Sequence, residues 1–211
     1  MMKLKVCGMR DTQNIQDLLA LKLEFMGFIF YDKSPRNATG ILNENLLKSF
    51  PNCTKKVGVF VNEEITKMAE TVMKYDLDLV QLHGDESVEY VSKLKGKTIE
   101  VIKAFAIDKH FNFDLLSDYM PFVDYFLFDT KGEERGGTGR KFDWGLLKNY
   151  HHETPFFLSG GISVEDAKEF KNLKGSNIFG LDVNSRFELK PGDKDIIALE
   201  NFTNELYGKI D

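Results

Sequence analysis

Two side chains are best placed to move protons. Cys7 closes the run KLKVC (3–7), and Asp129 closes DYFLFD (124–129). A carboxylate at the end of an apolar strand is partly desolvated, which raises its pKa and suits it to act as an acid. Asp182 ends a later run in the same way. A free thiol is only roughly a few per cent ionised at neutral pH, so a basic Cys7 needs a cation nearby. Lys5 lies two residues back and shares its strand face. It either assists the thiol or pairs with an inward acid. Each group also has a purely structural reading: a free cysteine packs as a small core residue, and a strand-end aspartate caps its own loop. His83 is the one histidine at the end of an apolar run, where it is either a site group or a polar loop residue. His110, His151, His152 and Cys53 fall in connecting segments and carry no assignment.

Three glycine-bearing or polar loops could hold an anion: GGTG (136–139), SGGI (159–162) and DVNS (182–185). Converging backbone N–H groups and a nearby helix N-terminus both favour negative charge. The candidates are Gly137, Thr138, Gly139, Gly160, Gly161, Asn184 and Ser185. A single glycine pair is ordinarily just a tight turn; three such loops at neighbouring strand ends point to phosphate. Arg36, in KSPR, is the best-placed cation, able to bind a carboxylate or phosphate through two N–H groups.

These residues need a scaffold that gathers strand ends. Apolar, β-rich runs recur at 3–7, 25–30, 55–61, 77–82, 99–105, 123–129, 155–160 and 177–183. Helical patterns fill most gaps. Asp11 is a plausible N-cap for 11–24. Ile65, Met68, Ala69 and Val72 share one face of the next pattern. DESVEYVSKLKG ends on Gly96, a C-cap signal. Ser163 and Asp166 form an approximate capping box, and 193–208 closes the chain. Helix signals are weaker after the second, fifth and sixth runs. Eight strand–helix alternations in 211 residues predict a compact α/β fold, a single-domain (β/α)8 TIM barrel over 1–211. A doubly wound open sheet is the competitor, but it usually has fewer strands and often opens with GxGxxG, which is absent. In the barrel, chemistry sits at the C-terminal strand ends, where all the residues above fall.

Composition narrows the partners. The net charge is −5, and no basic run exceeds a pair such as Lys55–Lys56, which argues against nucleic acid. Two cysteines do not make a disulfide framework. Lys3, Lys5, Arg10 and Asp11 break up any secretory leader, and no apolar run approaches a membrane span of about 20 residues. A reduced cytoplasmic protein, monomer or homodimer, is expected. No histidine pair or CxxC suggests a metal, and no nucleotide fingerprint suggests a cofactor. The expectation is acid–base chemistry on a small phosphorylated substrate, with isomerisation the reaction that fits. The residues alone do not name the sugar.

The strand ends resemble those of the phosphoribosylanthranilate isomerases, barrels of tryptophan biosynthesis. The matching stretches are KVCGMR, GFIFYDKSPR, VGVFVN, LVQLHGDE, FDTKGEERGGTGRKFDW, LSGGI and GLDVNSRFELKPGDKD, in order along nearly the whole chain. The resemblance implies an Amadori rearrangement of N-(5-phosphoribosyl)anthranilate to 1-(2-carboxyphenylamino)-1-deoxyribulose 5-phosphate, without cofactor. It implies Asp129 as general acid on the ring oxygen and Cys7 as general base at sugar C2, with Gly8 leaving the sugar room to approach. Arg36 would hold the anthranilate carboxylate, Asp182 and His83 would contact the substrate, and the three loops would bind phosphate. Two positions depart from the pattern: Arg186 stands where a glycine is expected, and Tyr31 where a smaller residue is expected. A sister barrel of histidine biosynthesis is expected to carry an aspartate in place of Cys7, and a non-catalytic phosphosugar-binding barrel has no need of both Cys7 and Asp129.

Overall fold

Eight apolar runs become eight parallel strands, and the strands close on themselves. In this computed structural model, which describes residues 2–94, 96, 98–130, 144–172 and 177–208, the strands are β1 (Lys3–Val6), β2 (Phe25–Phe30), β3 (Lys55–Phe60), β4 (Leu79–Leu82), β5 (Glu100–Ile107), β6 (Tyr125–Thr130), β7 (Phe156–Leu158) and β8 (Ile178–Val183). Each pairs with its neighbours in chain order, and β1 pairs with β8 to close the barrel. That closure sets Lys5 opposite Asp182. A short antiparallel hairpin, β9 (Glu188–Lys190) and β10 (Asp193–Lys194), follows β8.

The helices form where caps and one-sided apolar patterns coincide. α1 (Thr12–Leu19) starts on Asp11, whose carboxylate accepts from the Asn14 amide at 3.0 Å, as its sequence predicts. α2 (Glu44–Lys48) is short and capped by Asn43. α3 (Ile65–Tyr75) buries Met68 and Tyr75 and ends on Asp76, which takes a left-handed turn at φ 52°. α4 (Val88–Ser92) is capped by Ser87. Gly96, beyond it, has φ +81°. Ser163 and Asp166 complete their reciprocal capping box, but the turn they open is 3₁₀ before it becomes α5 (Ala167–Asn172). α6 (Ile196–Tyr207) is capped by Asp195. The weak signals after the fifth and sixth strands correspond to 3₁₀ turns at 113–118, 120–122 and 144–149. No helix among the described residues is long and apolar enough to cross a membrane.

Strand alternation divides the core in two. Phe25, Val57, Leu79, Ile102, Ala104, Leu127 and Phe157 fill the barrel interior. A larger layer, including Leu4, Val6, Phe28, Phe126, Phe128 and Phe156, packs between barrel and helices. The same alternation aims the site. Two positions beyond an interior residue the side chain points inward again, now at the rim: Asp129 follows Leu127, Ser159 follows Phe157, and Cys7 follows Lys5.

Candidate active site

The rim residues converge on a cavity of about 380 Å³, lined by Cys7, Arg36, His83, Asp129, Gly160, Gly161, Asp182, Asn184 and Ser185 among others. The sulfur from β1 and the carboxyl from β6 therefore face one space. Gly137, Thr138 and Gly139 lie outside the described residues. The other catalytic, substrate-contacting and phosphate-loop candidates border this cavity, while Lys5 and Gly8 stand behind it.

Asp129 has a side chain one-fifth exposed, and its Oδ1 accepts from the Thr130 amide at 2.7 Å. Desolvation pushes its carboxyl up to about 6, with the Asp182 charge adding to the rise and the Thr130 amide opposing it. A carboxyl titrating there can hold a proton in contact with substrate and still give it up. His83 Nε2 stands 3.8 Å from Asp129 Oδ2, too far for a direct hydrogen bond.

Cys7 is almost wholly buried. Burial pushes its thiol up, and Asp182 adds to this, while Lys5 and Lys194 pull the other way; the net direction is upward. Both alternatives for Lys5 hold together. Its ammonium is fully buried, donates to Asp182 Oδ1 at 2.7 Å, and through its charge pulls the Cys7 thiol downward. Burial disfavours that ammonium, but Asp182 and Cys7 outweigh it and keep it charged. The thiolate is thus disfavoured by desolvation and partly rescued by two buried cations, Lys5 and Lys194.

Two expectations gain detail. The space at Gly8 is taken up by protein groups. A Cβ there would meet Arg36 Cδ at 2.8 Å and Asn184 Oδ1 at 2.9 Å, so the missing side chain makes room for those groups, and φ is +81°. The glycine that accommodates the thiol is Gly27, where a Cβ would stand 2.9 Å from Cys7 Sγ. Arg36, read as the cation for a substrate carboxylate or phosphate, already has a protein partner in Glu188: Nε lies 2.9 and 3.0 Å from the two carboxylate oxygens, and Nη2 lies 2.7 Å from Oε2.

Gly160 and Gly161 adopt φ +96° and +68°, a consecutive left-handed pair that only glycine takes readily. Asn184 and Ser185 border the same end of the cavity. Arg186 is exposed at its rim, and Tyr31 lines the wall beside Ile29, Val59 and Val61. That apolar wall lies next to Arg36 in the lining, a pairing that suits an aromatic ring bearing a carboxylate. Sequence reading missed this wall, and also Gln81, Glu188 and Lys194. Gln81 had a signal, as a lone amide inside the apolar strand LVQL. Its Nε2 bonds His83 Nδ1 at 2.8 Å, while its buried Oε1 has no hydrogen-bond partner. Among the described residues no three His, Cys, Asp or Glu side chains gather as a metal site.

A closed (β/α)8 barrel whose rim brings a thiol, a raised carboxyl and a glycine-lined pocket to one cavity defines a barrel enzyme working by proton transfer. The sequence matches the family model for N-(5'-phosphoribosyl)anthranilate (PRA) isomerase over residues 4–205. It is 45% identical to the N-(5'-phosphoribosyl)anthranilate isomerase of Parabacteroides distasonis, over 97% of this chain and 93% of that one. It is 36% identical to the isomerase of Phocaeicola vulgatus, over 99% of this chain and all of that one. The crystal structure of phosphoribosyl anthranilate isomerase from Thermotoga maritima superposes with a TM-score of 0.85 at 30% identity, covering 99% of this chain and 100% of that one. A phosphoribosyl anthranilate isomerase in complex with reduced 1-(o-carboxyphenylamino)-1-deoxyribulose 5-phosphate superposes at 0.80 with 28% identity, covering 99% of this chain and 100% of that one. The chain belongs to the N-(5'-phosphoribosyl)anthranilate isomerase family.

Proposed function

We infer that this chain catalyses the Amadori rearrangement of N-(5'-phosphoribosyl)anthranilate in tryptophan biosynthesis, with Asp129 as general acid and Cys7 as general base. The observation that carries the reading is that these two side chains, from β-strands that are not neighbours in the barrel, line one cavity. Asp129 protonates the furanose ring oxygen. The ring C–O bond breaks, and the nitrogen lone pair forms an iminium at C1. Cys7 then removes the proton from C2, and those electrons neutralise the iminium to give an enolamine. Return of a proton to C1, with loss of the proton from the C2 hydroxyl, completes the ketone. The iminium makes the C2 proton unusually acidic, so a thiol disfavoured as thiolate by burial still serves as base. Lys5 stabilises the sulfur as it ionises and holds Asp182 beside the sugar. The apolar wall takes the aromatic ring, Arg36 takes its carboxylate, and the backbones at Gly160, Gly161, Asn184 and Ser185, with the GGTG loop, take the phosphate. The barrel acts as one domain, on a soluble small molecule in the cytoplasm.

The test is a fluorescence assay of purified protein on freshly prepared phosphoribosylanthranilate. Cys7→Ala and Asp129→Asn are each expected to lose turnover by three orders of magnitude or more while still binding the reduced product. Near-wild-type turnover in either variant overturns that residue's role. Absence of turnover in the unaltered chain overturns the activity.

A further inference from the structure

The chemistry above leaves two buried charges without a task, both on the hairpin that follows the last barrel strand. The Glu188 side chain is 4% exposed, and its carboxylate is crowded with donors. Besides Arg36, Oε1 accepts from Lys194 Nζ at 2.6 Å and from the Gly192 amide at 3.0 Å. The Lys194 ammonium is fully buried and also donates to Asn184 Oδ1 at 2.6 Å. Burial pushes the Glu188 carboxyl up, but Arg36 and Lys194 outweigh this and hold it below its ordinary value, so it is ionised at neutral pH.

Two consequences follow from this arrangement. The first concerns aim. Glu188 covers the Nε/Nη2 edge of the guanidinium, leaving Nη1 and the second N–H of Nη2 without a partner among the described residues, on a side chain that lines the cavity. A guanidinium held by one edge offers its other edge to a second carboxylate in a fixed orientation. The second concerns charge. Arg36 and Glu188 cancel, and a neutral pair gives an incoming anion little net attraction. Lys194, in contact with the same carboxylate, leaves the cluster one positive charge. That is the charge a single ring carboxylate would neutralise.

We propose that Glu188 and Lys194 are positioning residues that make the site selective for a carboxylated ring: Glu188 aims the open edge of Arg36, and Lys194 supplies the net positive charge. The inference rests on the reading of Arg36 as the carboxylate contact. It goes further by assigning that selectivity to a buried triad rather than to one arginine. The pieces come from distant parts of the chain, Arg36 after β2 and the others after β8, and Gly8, just past β1, leaves space that Arg36 Cδ and Asn184 Oδ1 both approach.

The test compares two probes by calorimetry: the reduced product 1-(o-carboxyphenylamino)-1-deoxyribulose 5-phosphate and the same compound lacking the ring carboxyl. The unaltered protein should prefer the carboxylated probe by tenfold or more. Lys194→Met should erase most of that preference by weakening only the carboxylated probe, leaving the other within about twofold. Lys194→Gln keeps a donor for Glu188 and Asn184 while losing the charge, and it serves the same comparison if the methionine chain does not fold. The double variant Glu188→Gln/Lys194→Met leaves the Arg36 charge uncancelled and should regain most of the preference. Equal weakening of both probes marks a merely structural role and overturns the proposal, as does a preference unchanged by loss of the lysine charge. Arg36→Met separates the two readings. A preference that survives in Arg36→Met overturns the carboxylate contact itself; one lost there but kept in the Lys194 variants overturns the triad alone.

Discussion

At the scale of single residues, the two groups proposed to move protons have unequal environments, and on that proposal this difference sets the pH profile. The active form needs Asp129 protonated, with its carboxyl near 6, and Cys7 ionised, with its thiol above the ordinary range. Below pH 6 the acid is already protonated, and kcat/KM should climb roughly tenfold per unit as thiolate accumulates. Above 6, loss of the acid offsets gain of the base, and the profile should level until the thiol itself titrates. A continuous rise through pH 6 to 8 would contradict Asp129 as the acid. The raised carboxyl also costs stability. Its folded value lies above the unfolded one, so the native state binds the extra proton between about 4 and 6 and becomes less stable as pH rises through that window. Asp129→Asn should therefore stabilise the protein at pH 7.5, by on the order of 3 kcal/mol or less, and do almost nothing at pH 3.5. Urea midpoints at the two pH values check this. Cys7 and Asp129 were legible because each ends an apolar run at a strand's C-terminus. The Lys5–Asp182 pair was only half legible: periodicity placed Lys5 beside Cys7, but its partner becomes a neighbour only through barrel closure.

At the scale of elements, glycines set how closely neighbouring strands and loops approach the reacting groups. A Cβ at Gly27 would crowd Cys7 Sγ, so Gly27→Ala should push the sulfur off its line to C2. A fall in kcat of tenfold or more, with the reduced product bound nearly as before, is the expected steady-state result. Gly160 is more demanding, since a Cβ there would overlap the Thr130 hydroxyl and sit 2.9 Å from the Thr130 amide, at φ +96°. Gly160→Ala should weaken competition by inorganic phosphate, and unchanged inhibition would remove this loop from the phosphate site. SGGI was readable as a glycine turn. The neighbours of Gly8 were not readable, because a glycine announces space without saying which group fills it.

At the scale of the whole molecule, aromatic packing outside the barrel supports the strand that carries the acid. Phe128, fully buried, packs its ring 4.7 Å from Phe156, 5.2 Å from Tyr150 and 5.8 Å from Phe113. Phe128→Ala should cost about 3–5 kcal/mol, read as a lower denaturant midpoint with an unchanged slope. The eightfold alternation of strand and helix made the barrel readable, since each repeat is a local pattern. The partners of Arg36 were not readable, because Glu188 lies 152 positions away and the sequence carries no sign of that return.

The pairing of the first strand with the last has a temporal corollary. Lys5 meets Asp182 across 177 positions, so a chain emerging from the ribosome carries its proposed base from the outset but cannot assemble the surroundings of that sulfur until the strand bearing Asp182 has followed. Assembly of the site is then a single late event rather than one that accumulates with length.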